Sequence, residues 1–206
     1  MKRASFLLML LLPLSVFSQM MDAVAFMDKV VARLKNDAAV EMSYSYKAYD
    51  GVEQLASDEG VMILDGERYV LLMEDMKVWC DGKSQWSYMD VSEEVYVTYA
   101  DSEEAQNLSP LYIMESCRNG YDSSVSFDGD MATVTLVTQD QEAVVERVEF
   151  VAEAKSSLLR TMKIFLSGQG YIAVELKDYK AKCKFDNTVF EFPAKEYQSA
   201  VVVDMR

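Results

Sequence analysis

Residues 60–99 read GVMILDGERYVLLMEDMKVWCDGKSQWSYMDVSEEVYVTY, and this stretch decides the fold. Short apolar runs are cut at regular intervals by reversals. Asp65-Gly66 and Asp81-Gly82 supply the positive φ of tight hairpins, and Glu74-Asp75 and Ser92-Glu93 are polar enough to mark the other turns. The pattern is that of an antiparallel meander. A three-residue loop from Asp81 to Lys83 predicts that Cys80 faces Ser84, Val78 faces Trp86 and Met76 faces Tyr88. Met76, Val78, Trp86 and Tyr88 then share one apolar face, with Lys77, Gln85 and Ser87 on the other, and Val95, Val97 and Tyr99 continue the apolar side. Such a wide, aromatic face must be covered.

Before the meander, Asp22 caps a predicted helix to about Lys35, with Ala23, Met27, Val30, Val31 and Leu34 on one side and Asp28, Lys29, Arg33 and Lys35 on the rest. From Val40 the period changes to two: Val40, Met42, Tyr44 and Tyr46 alternate with Glu41, Ser43, Ser45 and Lys47 up to a turn at Asp50-Gly51. A second strand, from about Gln54 to Leu64, leads into the meander.

After the meander, residues 101–107 form an acidic loop. Ser109 and Pro110 then open a short helix over 110–117, stopped by Asn119-Gly120, whose Leu111, Ile113, Met114 and Cys117 leave almost no polar side. Further strands are predicted over 123–127, 132–138, 144–151, 158–166 and from Tyr171. In the last, Ile172, Val174 and Leu176 alternate in even phase and Tyr179, Ala181, Cys183 and Phe185 in odd phase, so a bulge is expected near Lys177-Asp178. The expected architecture is α+β: a strongly curved antiparallel sheet, an incomplete β-barrel of about ten strands, with two helices covering its concave apolar face.

Lys2-Arg3, the apolar run Phe6–Phe17 and the small residues ending at Ser18 have the composition of a cleavable signal peptide, so a single domain over 19–206 is expected in the periplasm. No Cys stands at the cleavage site, so no lipid anchor is expected. Without residues 1–18, eighteen basic residues face thirty-four acidic ones, a net charge of −16 that disfavours nucleic acid and anionic lipid surfaces. A soluble monomer is expected. Cys80, Cys117 and Cys183 admit either one disulfide with one free thiol or three buried unpaired thiols.

The chain has no histidine, which removes Ser-His triads and His-ligated metals. Its visible carboxylate pairs, Glu93-Glu94, Glu103-Glu104 and Asp128/Asp130, all sit at predicted turns, where a solvated loop is the better reading. Asp128-Gly129-Asp130 lacks the spacing and terminal Glu of a calcium loop. No catalytic residue, cofactor or metal is expected. What stands out is fourteen Met and twelve Tyr, pliable apolar side chains and apolar rings with polar tips that suit a pocket for flexible acyl chains.

The order of motifs resembles the LolA-like family of periplasmic outer-membrane lipoprotein carriers. Glu67-Arg68-Tyr69-Val70-Leu71-Leu72-Met73 is similar to the family's "KFRWEY" strand and Asp81-Gly82-Lys83-Ser84-Gln85-Trp86-Ser87-Tyr88 to its "DGKxxWxY" hairpin. Asn107-Leu108-Ser109-Pro110-Leu111 stands where the family has a lid helix, and Val189-Phe190-Glu191-Phe192-Pro193 with Val203-Asp204-Met205-Arg206 resembles its ending. The resemblance implies a non-catalytic carrier that takes acylated lipoproteins from an inner-membrane transporter to an outer-membrane acceptor, with the acyl chains in a cavity under a lid. A 16-carbon chain left in water would cost on the order of 12 kcal/mol. Tyr44, Tyr46, Met62, Leu64, Tyr69, Leu71, Met73, Val78, Trp86, Tyr88 and Val97 are the expected cavity residues, and Leu111, Ile113 and Met114 the lid. Where many carriers have a basic-Arg-Pro step that ties the lid, this chain has Asp65-Gly66-Glu67, and the nearest arginine is Arg68. The alternative is a lipid-sensing or protein-interaction module of the same fold, suggested by Val70 and Leu72 on the outer sheet face.

Overall fold

The computed structural model describes residues 22–102, 105, 114 and 120–206. Helix α1, Ala23–Asn36, begins where the Asp22 carboxylate accepts from the Val24 N–H at 3.3 Å. It buries Phe26, Met27, Val30, Val31 and Leu34, each worth about 1.5–3 kcal/mol relative to exposure. Beyond its end, Ala38 takes a positive φ of 57° and turns the chain into the sheet.

Strands β1 (Ala39–Asp50), β2 (Glu53–Asp65), β3 (Arg68–Leu72), β4 (Met76–Cys80), β5 (Ser84–Met89) and β6 (Glu94–Tyr99) form the meander. Strands β7 (Tyr121–Asp128), β8 (Met131–Thr138), β9 (Val145–Glu153), β10 (Leu159–Leu166) and β11 (Gly170–Cys183) form a second one, and β12 (Val201–Asp204) ends the chain. Their order in the sheet is β12-β6-β5-β4-β3-β2-β1-β11-β10-β9-β8-β7, with β7 and β12 as the two open edges. Twelve strands therefore stand among the described residues, where about ten were expected. Every pair is antiparallel except β6–β12, which is parallel because the C-terminal segment crosses the outer face before pairing. The long ladder between β1 and β11 joins the halves. It slips between Ser43, opposite Asp178, and Tyr44, opposite Leu176, so Lys177 is the bulged residue that the phase change predicts.

Eight neighbouring strands laid flat would span about 34 Å, more than the roughly 21 Å length of a 14-residue helix. Yet Val78 and Cys80 on β4, Val134 and Leu136 on β8, and α1 belong to one apolar cluster. The sheet curls around the helix, and the face turned to α1 is the inner one. Of the two helices expected there, α1 takes its place; the predicted 110–117 helix, with Leu111, Ile113 and Cys117, lies outside the described residues. Met114 is described and is fully buried in the inner cluster.

The β4–β5 register differs from expectation by one residue. Trp79 stands opposite Trp86, Lys77 opposite Tyr88 and Cys80 opposite Gln85. The hairpin closes on a 3.2 Å bond from the Asp81 N–H to the Ser84 carbonyl, and the Asp81 carboxylate accepts from both Lys83 and Ser84 N–H at 2.8 Å. These bonds favour a two-residue turn at Gly82-Lys83, with φ of 88° at Gly82, over the three-residue loop. A one-residue slip moves every later side chain to the other face. Trp86, Tyr88, Val95, Val97 and Tyr99 are outward as a result, and Gln85, expected outside, is inward and buried.

The outer face is not bare. Val70, Trp79, Tyr88, Val95 and Val97 form a second core with Phe190, Phe192 and Tyr197 of the C-terminal segment. Trp79 packs edge-on against Phe192 at 5.4 Å and Tyr197 at 5.6 Å, and Tyr88 meets Tyr197 at 4.4 Å. Arg68 stacks 4.5 Å over Phe190 and donates to the Asn187 side chain at 2.7 Å. The outward Val70 and Leu72 are thus covered by the chain's own ending, and Arg68 clamps that ending.

Candidate functional site

Alternation on β1 places Met42, Tyr44 and Tyr46 inward, opposite Met62, Gly60 and Asp58 of β2. The even phase of β11 brings Ile172, Val174 and Leu176 to the same side, opposite Ile164 and Met162 of β10 for the first two. With Leu34 from α1, Leu71 from β3, Leu159, Met73 and Met76, these side chains enclose a cavity of about 320 Å³. That is the lower end of the ~300–1,000 Å³ typical of ligand pockets. None of its fourteen described lining residues is charged, and five are Met, so this wall is both apolar and deformable.

The expected cavity residues divide three ways. Tyr44, Tyr46, Met62, Leu71 and Met73 line this cavity. Leu64, Tyr69 and Val78 face inward but are packed in the core with α1, away from the cavity wall. Trp86, Tyr88 and Val97 are on the opposite face, for the register reason above, and are corrected to the outer core. Of the lid residues, Leu111 and Ile113 lie outside the described residues and Met114 is in the inner core. Sequence reasoning missed Leu34, Met42, Met76, Leu159, Met162, Ile164, Ile172, Val174 and Leu176 as lining. The signal was there for three: the even-phase alternation of 172–176 opposite the β1 tyrosines marks one wall.

Three polar features bear on the site. Tyr69 hydrogen bonds with the buried Gln85 amide, and its hydroxyl donates to the Ala105 carbonyl at 3.1 Å, tying the segment after β6 to the inner face. Burial, then Cys80, push the Tyr69 phenol well above its ordinary range. At the rim, Asp58 accepts from the Glu74 N–H at 2.8 Å and the Glu59 N–H at 2.6 Å. Tyr44 is 8 % exposed, and its hydroxyl has no hydrogen-bond partner among the described residues. Burial first, then the Asp58 charge, raise its phenol so that it stays protonated at any physiological pH.

Cys80 and Cys183 are free thiols, Cys80 held protonated by burial, and Cys117 lies outside the described residues. Among the described residues no helix is long and apolar enough to cross a membrane, and no three His, Cys, Asp or Glu side chains are grouped to hold a metal ion. The arrangement offers an oily, pliable recess with a phenol hydroxyl at its side.

Comparison with known proteins agrees with the architecture. The sequence profile of the family described as outer membrane lipoprotein carrier protein LolA matches residues 14–169. An uncharacterized conserved protein from Thermus thermophilus superposes with a TM-score of 0.59 at 9% identity, covering 88% of this chain and 98% of that one. A LolA superfamily protein from Nitrosomonas europaea gives 0.47 at 7% identity over 83% and 98%. The MucA/MucB complex of Pseudomonas aeruginosa gives 0.43 at 10% identity over 84% and 62%. No curated protein matches the sequence.

Proposed function

This chain belongs to the outer membrane lipoprotein carrier protein LolA family, and from that premise we propose that it is a periplasmic carrier of acylated lipoproteins. It holds acyl chains in the inner-face cavity and works by binding, without catalysis. The observation that carries this reading is the cavity itself, fourteen lining residues with no charge and five methionines. Each methylene moved from water into it gains about 0.8 kcal/mol, enough for a single chain to drive uptake. The deformable methionine wall lets the same site release different chains. Residues 1–18 direct export and are removed, and cargo passes from an inner-membrane transporter to an outer-membrane acceptor. The protein-interaction alternative rested on a bare outer face; Val70 and Leu72 are covered by the C-terminal segment, which favours the carrier.

The test is native mass spectrometry of protein purified from the periplasm. An acylated polypeptide should co-purify with the wild type and with Lys29→Glu, an exposed change on α1, and be lost from Val174→Glu. Val174 is half-buried on the cavity wall, so a carboxylate there leaves the fold standing but puts a charge against the acyl chain. Cargo-free wild-type protein, or equal retention in both variants, rules the carrier reading out.

A further inference from the structure

The Tyr44 hydroxyl is the anomaly of the cavity. Buried hydroxyls almost always find a partner, because one left without a hydrogen bond incurs its desolvation cost uncompensated. Tyr44 stands opposite Gly60 across the β1–β2 ladder, and its phenol lies over that residue. A Cβ at position 60 would come within 2.4 Å of the Tyr44 oxygen and 2.6 Å of the Leu72 carbonyl oxygen. Glycine at this place clears the space that the phenol uses. The ring forms part of the cavity wall, while the oxygen is sealed from solvent and unpartnered among the described residues.

We infer that the Tyr44 ring turns off Gly60 when the cavity fills, and that its hydroxyl then donates a hydrogen bond to the carbonyl oxygen of a bound acyl ester or amide. The inference rests on the carrier reading and adds to it the chemistry by which the site distinguishes an acyl group from a plain hydrocarbon. A phenol hydroxyl that stays protonated is a donor suited to a neutral acceptor. Asp58, inward on β2 and acting on the Tyr44 phenol, disfavours a second carboxylate, so an ester or amide carbonyl fits and a free fatty acid does not. Among the described lining residues, Tyr46 alone also carries a polar side chain. The hydroxyl therefore also fixes which end of the chain stays near β1 and β2.

Tyr44→Phe keeps the ring and removes only the oxygen. Carbonyl-labelled methyl dodecanoate, bound to wild-type protein, should show its carbonyl stretch at lower wavenumber in isotope-edited infrared spectra than when bound to Tyr44→Phe. Displacement of a fluorescent probe should show about fivefold weaker ester binding in the variant and unchanged dodecane binding. The empty variant should melt about 2–4 °C higher, because an orphaned buried donor is gone. An unshifted carbonyl, equal losses for ester and dodecane, or a lower melting temperature, which would reveal an internal partner such as the Leu72 carbonyl, overturns the inference. A diacylated peptide and a diacyl phospholipid, offered in turn, separate the sources of the ester. A shift with the peptide supports both readings; a shift with the phospholipid alone supports the role of Tyr44 and overturns lipoprotein carriage. If neither ester nor dodecane binds at all, the carrier reading fails with it.

Discussion

The hydroxyl of Tyr69 reaches from near the start of β3 to the backbone carbonyl of Ala105, 3.1 Å away, and also meets the buried side chain of Gln85. Tyr69, Cys80, Gln85 and Thr98 form one row across four strands, so a single side chain links the meander to the segment that follows it. Tyr69→Phe leaves Gln85 and the Ala105 carbonyl each short of a partner. It is expected to cost about 1–3 kcal/mol in urea unfolding. Hydrogen exchange should accelerate over 101–120 more than in β1 or β11. Uniform loss of protection would mean that Tyr69 merely packs.

Gly60→Ala places a methyl group against the Tyr44 oxygen at 2.4 Å and a backbone carbonyl at 2.6 Å. Backbone cannot swing aside as a flexible side chain can, so β2, β3 or the Tyr44 ring must shift. A loss of about 1–3 kcal/mol is expected by chemical denaturation. Unchanged stability would show that the approach is looser than this geometry.

The two cores should be separable. Phe190 is fully buried on the outer face, under the Arg68 guanidinium and beside Phe185. Phe190→Ala should destabilise by about 3–5 kcal/mol, while acyl-probe affinity, measured under conditions where the variant is folded, stays as in wild type. A parallel fall in affinity would mean that the C-terminal segment shapes the cavity through the sheet.

Acid should act at β12. The Arg206 side chain, then its backbone N–H, hold the Asp204 carboxyl at about 2, below its ordinary 3.8. Arg206 also donates to Ser84 at 3.1 Å, and the Met205 N–H to the Val97 carbonyl at 2.9 Å. A depressed carboxyl contributes stability that is complete above its ordinary value and lost as pH falls through about 2. Carbon-detected NMR should find the Asp204 midpoint near 2, with Val202 and Val203 resonances moving alongside it. A midpoint near the ordinary value would show that Arg206 does not hold the carboxylate.

The sequence by itself determined the meander, the helix from Asp22, the bulge at Lys177 and the family, because each is written in local signals: turn dipeptides, caps, a change of phase, an ordered set of motifs. It also determined that the sheet has an apolar side rich in Met and Tyr. Only the tertiary structure decided which side that is for each strand. Alternation divides a strand into two faces but does not say which is inner, and one residue more or less in the turn after Cys80 exchanges them. Asp81 capping two N–H groups of that turn sent Trp86, Tyr88 and Val97 outward and Gln85 inward. The outward set is buried all the same, because Phe190, Phe192 and Tyr197, about a hundred residues later in the chain, cross the sheet to cover it. The cavity, too, is assembled from α1, β1, β2, β3, β4, β10 and β11, and it and the cover of the outer face depend on partners far apart in sequence, which no local pattern specifies.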